Sequence, residues 1–429
     1  MKDRMRLCRL FAAGAVFLLS VSGPAASVPA SEGGVLNICC MDSNFRDLLK
    51  VYDPAYQEDE EGNAFMGDVA VRWTILSAAD GAYQDRLDAM LPVNSLAAPD
   101  DRIDLLLLEE EDTEKYVQSG FLLDPVSDLG IPEEAFADQF PFSKNCVRDA
   151  EGRMRASALS CEPGLFRWRR EAAAELFGTD DEDAAAAGIR DMESLEETAV
   201  KAAERHMQLF RSADELYPVF AYGAGYWVKD PDASVPEAAV PAEMKQWAEF
   251  SRSLNERELF GPDAVFFIGE PDMAPVETEE EGETYGLCPG PSDFLEGALF
   301  IACAEGSDNT ELAARIIRTM TCDRDMLKAM AQGSGHFANT VSGMEEMAQG
   351  FSSTVYGGIN SLRMMVDAAE RLEKTELKRS AADRIFGELF RECMAPYIAG
   401  EISYGEAEEE FLRRADVREE ISLAAAGTF

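Results

Sequence analysis

The sequence predicts an α/β protein of two lobes, and three observations carry that reading. Strand and helix patterns alternate from Val35 to Tyr116, the alternation restarts after Arg155, and a last strand-helix pair returns at Leu299 before an all-helical end. The chain has 429 residues and is 46% hydrophobic, which suits two cores rather than one.

The first thirty residues are set aside. Lys2, Arg4, Arg6 and Arg9 precede an apolar run from Leu10 to Val21 and a small-residue stretch from Gly23 to Ser31, the layout of a secretory signal peptide cleaved after Ala30. No later segment reaches the roughly 20 apolar residues of a membrane span. Cys8 lies before the apolar run rather than after it, so no lipobox is read. The expectation is an exported protein, either periplasmic or at the cell surface.

Val35 to Met41 is an apolar strand, and Phe45, Leu48, Leu49 and Tyr52 follow at helical spacing. Val69, Val71, Trp73 and Ile75 have a strand period, and Tyr83, Leu87, Met90 and Leu91 a helical one. Ile103 to Leu108 is a continuous apolar run, as a parallel strand covered on both faces should be. Beyond Arg155 come a strand, a turn at Pro163-Gly164, a second strand, and a helix from Arg170 that stops at Gly178. Asp180 to Gly188 reads as an acidic surface loop, and Ser194 with Glu197 as the capping box of a helix running to about Phe210. Glu277 to Glu283 reads as a solvated acidic insertion. Leu299 to Asn309 gives one more buried strand, with Asp308 or Asn309 capping the helix that carries Leu312, Ile316, Ile317 and Met320.

The formal charge of −42 repels phosphate backbones and anionic membranes, which makes nucleic acid and lipid poor partners. Of nine cysteines, eight follow the leader, scattered and without a CxxC. They read as buried free thiols rather than a disulfide framework. The only histidines are His206 and His336, and no HExxH, zinc spacing, GxSxG, P-loop or GxGxxG occurs. No metal or cofactor is therefore expected. A carboxylate pair such as Glu110 with Glu162 fits glycosidase chemistry on paper, but with 81 acids in the chain such pairs arise by chance, and no enzyme is expected.

Motifs in a fixed order run along nearly the whole chain: "GAYQDRLDAML", then "DDRIDLLLLEEEDTEKYVQSGFLLDPVSDLGI", "PGLFRWRREAAAELFGTDD", "ACAEGSDNTELAARIIRTMTCDRDMLKAMAQGSGHFANT", "YGGIN" and "YIAGEISYGEAEEEF". In order and spacing they resemble the extracellular solute-binding proteins, family 1, of bacterial carbohydrate ABC transporters. The resemblance implies the type II periplasmic-binding-protein fold, with each lobe a parallel or mixed sheet flanked by helices and a ligand cleft between them. It places residues 31–148 and 287–342 in one lobe, and 149–286 and 343–429 in the other. It also implies a small-molecule solute, most readily a sugar, a monomer, and delivery to the transmembrane subunits of an ABC permease.

Carried onto this sequence residue by residue, the family's binding positions fall on Asp42, Ser43, Asn44, Tyr83, Glu111, Ser160, Glu162, Gly164, Leu295, Glu296 and Asn360. Several depart from the pattern. Met41 stands where relatives place an aromatic at the end of the first strand, Leu159 and Ser160 replace an aromatic and a glutamine, and Ile359 replaces a glutamine before Asn360. Glu111 reads either as a ligand contact or as a solvated acid at a helix N-terminus. Glu296 is a polar contact or a surface charge, and Tyr83 a cleft aromatic or a core residue. Trp73, Trp227 and Trp247 read as core. The losses leave a second reading open: a secreted sensor or interaction paralogue on the same scaffold.

Overall fold

The computed structural model describes residues 34–426 apart from 80, 231–236, 270–284, 335, 354, 376 and 379–382. The leader and the acidic stretch Glu277 to Glu283 lie outside the described residues. The chain divides into two compact units.

The first unit, running to Glu162 and taking in Gly297–Gly350, is built on one mixed sheet. Its strands are β1 (Val35–Cys40), β2 (Tyr56–Glu58), β3 (Ala64–Met66), β4 (Val69–Ile75), β5 (Leu105–Glu109), β6 (Ser157–Pro163) and, much later, β10 (Leu295–Cys303). They lie in the order β2-β3-β4-β1-β5-β10-β6. Helices α1 (Asn44–Tyr52), α2 (Ala82–Met90), α3 (Glu110–Val117) and α4 (Pro141–Asn145) follow in the first stretch. β1 pairs in parallel with β4 (Ile38 opposite Trp73) and with β5 (Ile38 opposite Leu105). β10 enters antiparallel, with Leu299 opposite Glu109 and Cys303 opposite Leu105. Four consecutive leucines of β5, Leu105 to Leu108, are at most 1% exposed, because helices cover both faces of a central strand.

In the second unit β7 (Phe166–Arg169) lies between β8 (Phe266–Ile268) and β9 (Tyr285–Cys288), antiparallel to both. Here α5 (Arg170–Phe177), α6 (Glu182–Gly188), α7 (Met192–Glu204), α8 (Ala213–Ala221) and α9 (Ala242–Glu256) follow. The chain then adds α10 (Thr310–Cys322), α11 (Arg324–Ser334) and α12 (Val341–Ala348) to the first unit, and α13 (Ser361–Leu372), α14 (Asp383–Ala399) and α15 (Tyr404–Ala426) to the second. The second unit's helical core is aromatic: Trp227 meets Phe390 at 5.3 Å and Phe411 at 5.6 Å, and Trp247 meets Tyr217 edge-on at 5.3 Å.

The borders between units fall after Glu162, Glu296 and Gly350, later than the 148, 286 and 342 read from the sequence. β6 runs through Ser157–Pro163 as a strand of the large sheet, which carries the first crossing to the end of that strand, and β9 pairs with β7 inside the second unit, which carries the next one past residue 286.

Three local expectations are corrected. Asp180 to Gly188 is not all loop: Asp181 accepts from Asp183 N (3.0 Å) and Ala184 N (3.2 Å), and the alanine run of α6 follows with Ala185 fully buried. A capping acid ahead of four alanines outweighs the stretch's charge. The cap of α7 is Asp191, whose carboxylate accepts from Ser194 N at 2.8 Å, three residues ahead of the position read for it. That helix ends at Glu204 rather than near Phe210, because His206 takes a left-handed backbone (φ 55) and Met207 N turns back to Ala202 O. The stop at Gly178 holds: its φ is 78 and its N–H donates to Ala174 O at 2.9 Å.

Candidate functional site

In the first unit the parallel strands β1, β4 and β5 end at one edge of the sheet, where loops and helix N-termini offer polar groups. At the end of β1 the carboxylate of Asp42 accepts from Asn44 N (2.8 Å) and Asn44 Nδ2 (2.9 Å), a closed Asx turn that starts α1. Ser43 Oγ donates to Asp47 at 3.2 Å. All three residues are half-buried. At the end of β5, Glu111 lies exposed in the first turn of α3.

The vicinal thiols behind this lip are not chemically available. Burial pushes Cys39 up to about 11 and Cys40 up to about 12, the charge of Asp42 adding to the second. A thiol held that high is protonated near neutral pH and is a poor nucleophile. All eight cysteines in the described residues are free.

Tyr83 is not at this edge. It is 1% exposed, and its hydroxyl reaches Cys39 O (3.1 Å) and Leu107 O (2.7 Å) while accepting from Leu107 N (3.2 Å). β1 and β5 pair only at Ile38–Leu105 and Cys39–Leu106. The hydroxyl satisfies main-chain groups where that ladder stops, so Tyr83 is a core strut rather than a stacking platform. Trp73, read as core, is instead half-buried, edge-on to Phe45 and Tyr56 at 6.2 Å each, with Nε1 donating to Tyr56 Oη at 3.2 Å.

Glu162, near the end of β6, is 8% exposed and meets His336 Nδ1 at 2.8 Å. A carboxylate only accepts, so Nδ1 carries the proton in this pair. Two features hold the histidine there. Ala338 forms an antiparallel bridge with Ser160 on β6, and the Asn339 carbonyl oxygen accepts from Phe140 N and Ser143 Oγ at 3.1 Å each. Burial, with the neighbouring Cys146 and the charges of Glu110 and Glu162, holds the Cys161 thiol well above its usual range. The sequence reading singled out Glu162 but missed its partner, 174 residues away. The "GHFAN" turn was the available signal.

In the second unit, Gly164 N donates to Phe294 O at 2.8 Å. A Cβ at 164 would sit 2.0 Å from the Phe294 ring, so this glycine serves close packing. Leu295 is 2% exposed and Glu296 half-buried. Asn360 caps α13, its oxygen accepting from Arg363 N at 2.8 Å. A groove of about 480 Å³ in the first unit, lined by Val126, Phe136, Lys144, Arg148 and Met154 among others, contains none of the expected site residues. Among the described residues no cluster of three or more His, Cys, Asp or Glu is placed to hold a metal ion, and no helix is long and apolar enough to cross a membrane.

No protein-family model and no curated protein matches the sequence. Solved structures do match. The crystal structure of an extracellular solute-binding protein of family 1 superposes with a TM-score of 0.70 at 17% identity, over 90% of this chain and 99% of its own. The chain has the fold of the solute-binding proteins. The ABC-transporter-associated binding protein of B. animalis subsp. lactis Bl-04, in complex with β-1,6-galactobiose, shares that fold at TM-score 0.62, with 12% identity over 91% of this chain and 98% of its own. So does an ABC transporter solute-binding protein of Agrobacterium vitis S4 with bound D-mannitol, at TM-score 0.61 and 14% identity over 92% and 99%. The mixed sheet flanked by helices in this chain is the architecture of these neighbours, two of which are ABC transporter binding proteins.

Proposed function

We propose that this protein is the exported substrate-binding component of an ABC importer, capturing a carbohydrate by lobe closure and handing it to the permease subunits. The observation that carries the reading is a match of fold over 90 to 92% of the chain to binding proteins crystallised with galactobiose, mannitol and tagatose. It works as a monomer, without cofactor or metal, and as a binder rather than an enzyme. Asp42, Ser43, Asn44, Glu111, Ser160, Glu162 and Glu296 supply the polar groups that orient hydroxyls. Gly164, Leu295 and Asn360, the family's remaining binding positions, belong to the second unit's part in binding.

A thermal-shift screen over sugars, polyols, amino acids and peptides tests this. A ligand held at about 100 times its Kd adds roughly 2.7 kcal/mol to the folded state and raises the unfolding midpoint. A rise with at least one sugar or polyol supports the assignment.

The burial of Tyr83 favours a second reading, because it leaves no aromatic among the expected contacts to stack on a sugar ring. That reading is a secreted sensor or interaction protein on the same scaffold. A flat response across the screen would favour it over transport.

A further inference from the structure

We infer that His336 is the positioning residue for Glu162, fixing that carboxylate in the orientation in which it meets the solute from the first unit. The inference rests on the proposed binding function. Glu162 is 8% exposed, and a polar group so enclosed needs a hydrogen-bond partner that holds it in one orientation. His336 supplies it at 2.8 Å from a segment that is itself built into the unit.

That segment is held by main chain and side chain alike. The Ala338–Ser160 bridge lays it along β6, and Asn339, fully buried, receives two hydrogen bonds from the start of α4 and the residue before it. Asp138 then secures the residues beyond, accepting from Thr340 Oγ1 at 2.5 Å, Ser342 N at 3.0 Å and Ser342 Oγ at 2.9 Å. The imidazole therefore arrives at Glu162 from a stretch whose following residues, Ala338, Asn339, Thr340 and Ser342, are each tied to the first unit. With Nδ1–H directed at Oε1, one carboxylate oxygen is committed to the histidine, and the other is aimed by that bond. A short, doubly fixed donor next to an acidic acceptor is a way to orient a ligand-contacting group before the ligand arrives.

The test uses calorimetric affinities for β-1,6-galactobiose, D-mannitol, α-D-tagatose and maltose, with the full chain. For whichever of these the wild type binds, His336→Leu and His336→Ala, which lack a donor, are expected to weaken binding about tenfold. His336→Asn, whose amide N–H can stand in for Nδ1–H, is expected to bind within about threefold of wild type. In a Glu162→Ala background, His336→Leu is expected to change nothing further. Unfolding midpoints of each variant separate loss of fold from loss of orientation, and the asparagine variant carries the test should the others fail to fold. Wild-type affinity in His336→Leu, failure of a folded His336→Asn to rescue, or an undiminished loss in the Glu162→Ala background would each overturn the positioning role while leaving the binding function intact. Should the wild type bind none of the four, the same variants are compared on whichever sugar or polyol raises its unfolding midpoint, and no binding to any of them would overturn the binding function and the positioning role together.

Discussion

Glu215 holds the end of β8 from below, its carboxylate accepting from Ile268 N at 3.0 Å and from Arg211 N at 3.1 Å. Burial outweighs these donors and raises the acid from 4.5 to about 7. A carboxyl that protonates more readily in the folded state contributes stability that is complete below its unfolded value and disappears as pH rises through 7. Glu215→Gln should therefore flatten the stability profile between pH 4.5 and 7 and gain up to about 3 kcal/mol relative to wild type at pH 8. Urea unfolding of both proteins at pH 5 and pH 8 measures this, and parallel profiles would contradict it. Asp104, pushed up to about 6 by burial, adds to the wild-type slope in the same direction. Tyr83→Phe should cost about 1–3 kcal/mol, because it strands Leu107 N and two carbonyls inside the first unit. At the same scale, Cys39 and Cys40 should stay unreactive toward a thiol reagent at pH 8 until the protein is unfolded. Rapid labelling of either in the native protein would show that the strand end is open.

Secondary elements were legible in proportion to how local their signals are. β1, β4 and β5 appear where alternation or an unbroken apolar run demanded them, and α5 stops at the glycine that reads as its stop. α6 was missed because charge was weighed over capping: Asp180 to Gly188 carries acids throughout its first half, yet only Asp181 decides the structure by accepting two N–H groups. The cap of α7 was displaced for a related reason, since Ser194 resembles a capping serine but donates its hydroxyl to Asp191 at 2.6 Å. Asp191→Ala should destabilise the second unit by about 1 kcal/mol, with Ser194→Ala costing less; circular dichroism-monitored unfolding distinguishes the two. The candidate site was less legible than the scaffold. Asp42, Glu111 and Glu162 can be placed by motif, but whether a side chain points outward or braces the core depends on contacts distant in sequence. Tyr83 sits at a helix start and yet spans to two strands, and His336 reaches Glu162 from across 174 residues.

For the whole molecule, alternation of strand and helix, its restart and its late return were enough to foresee an α/β scaffold in which the chain visits each unit more than once, because parallel pairing requires long returns. The antiparallel entry of β10 between β5 and β6 was not visible, since a buried strand reads the same in either direction. The net charge of −42 disfavours association with anionic surfaces and polymers. At 12 to 17% identity to these neighbours the scaffold is shared while the side chains are this chain's own, and function lives in the side chains of the site. Isothermal titration of the purified protein against a broad panel of mono- and oligosaccharides and polyols bears on the central claim most directly. Saturable one-to-one binding to at least one of them is the expected result, and the absence of any binding heat across the whole panel, from a protein shown to be folded, would contradict it.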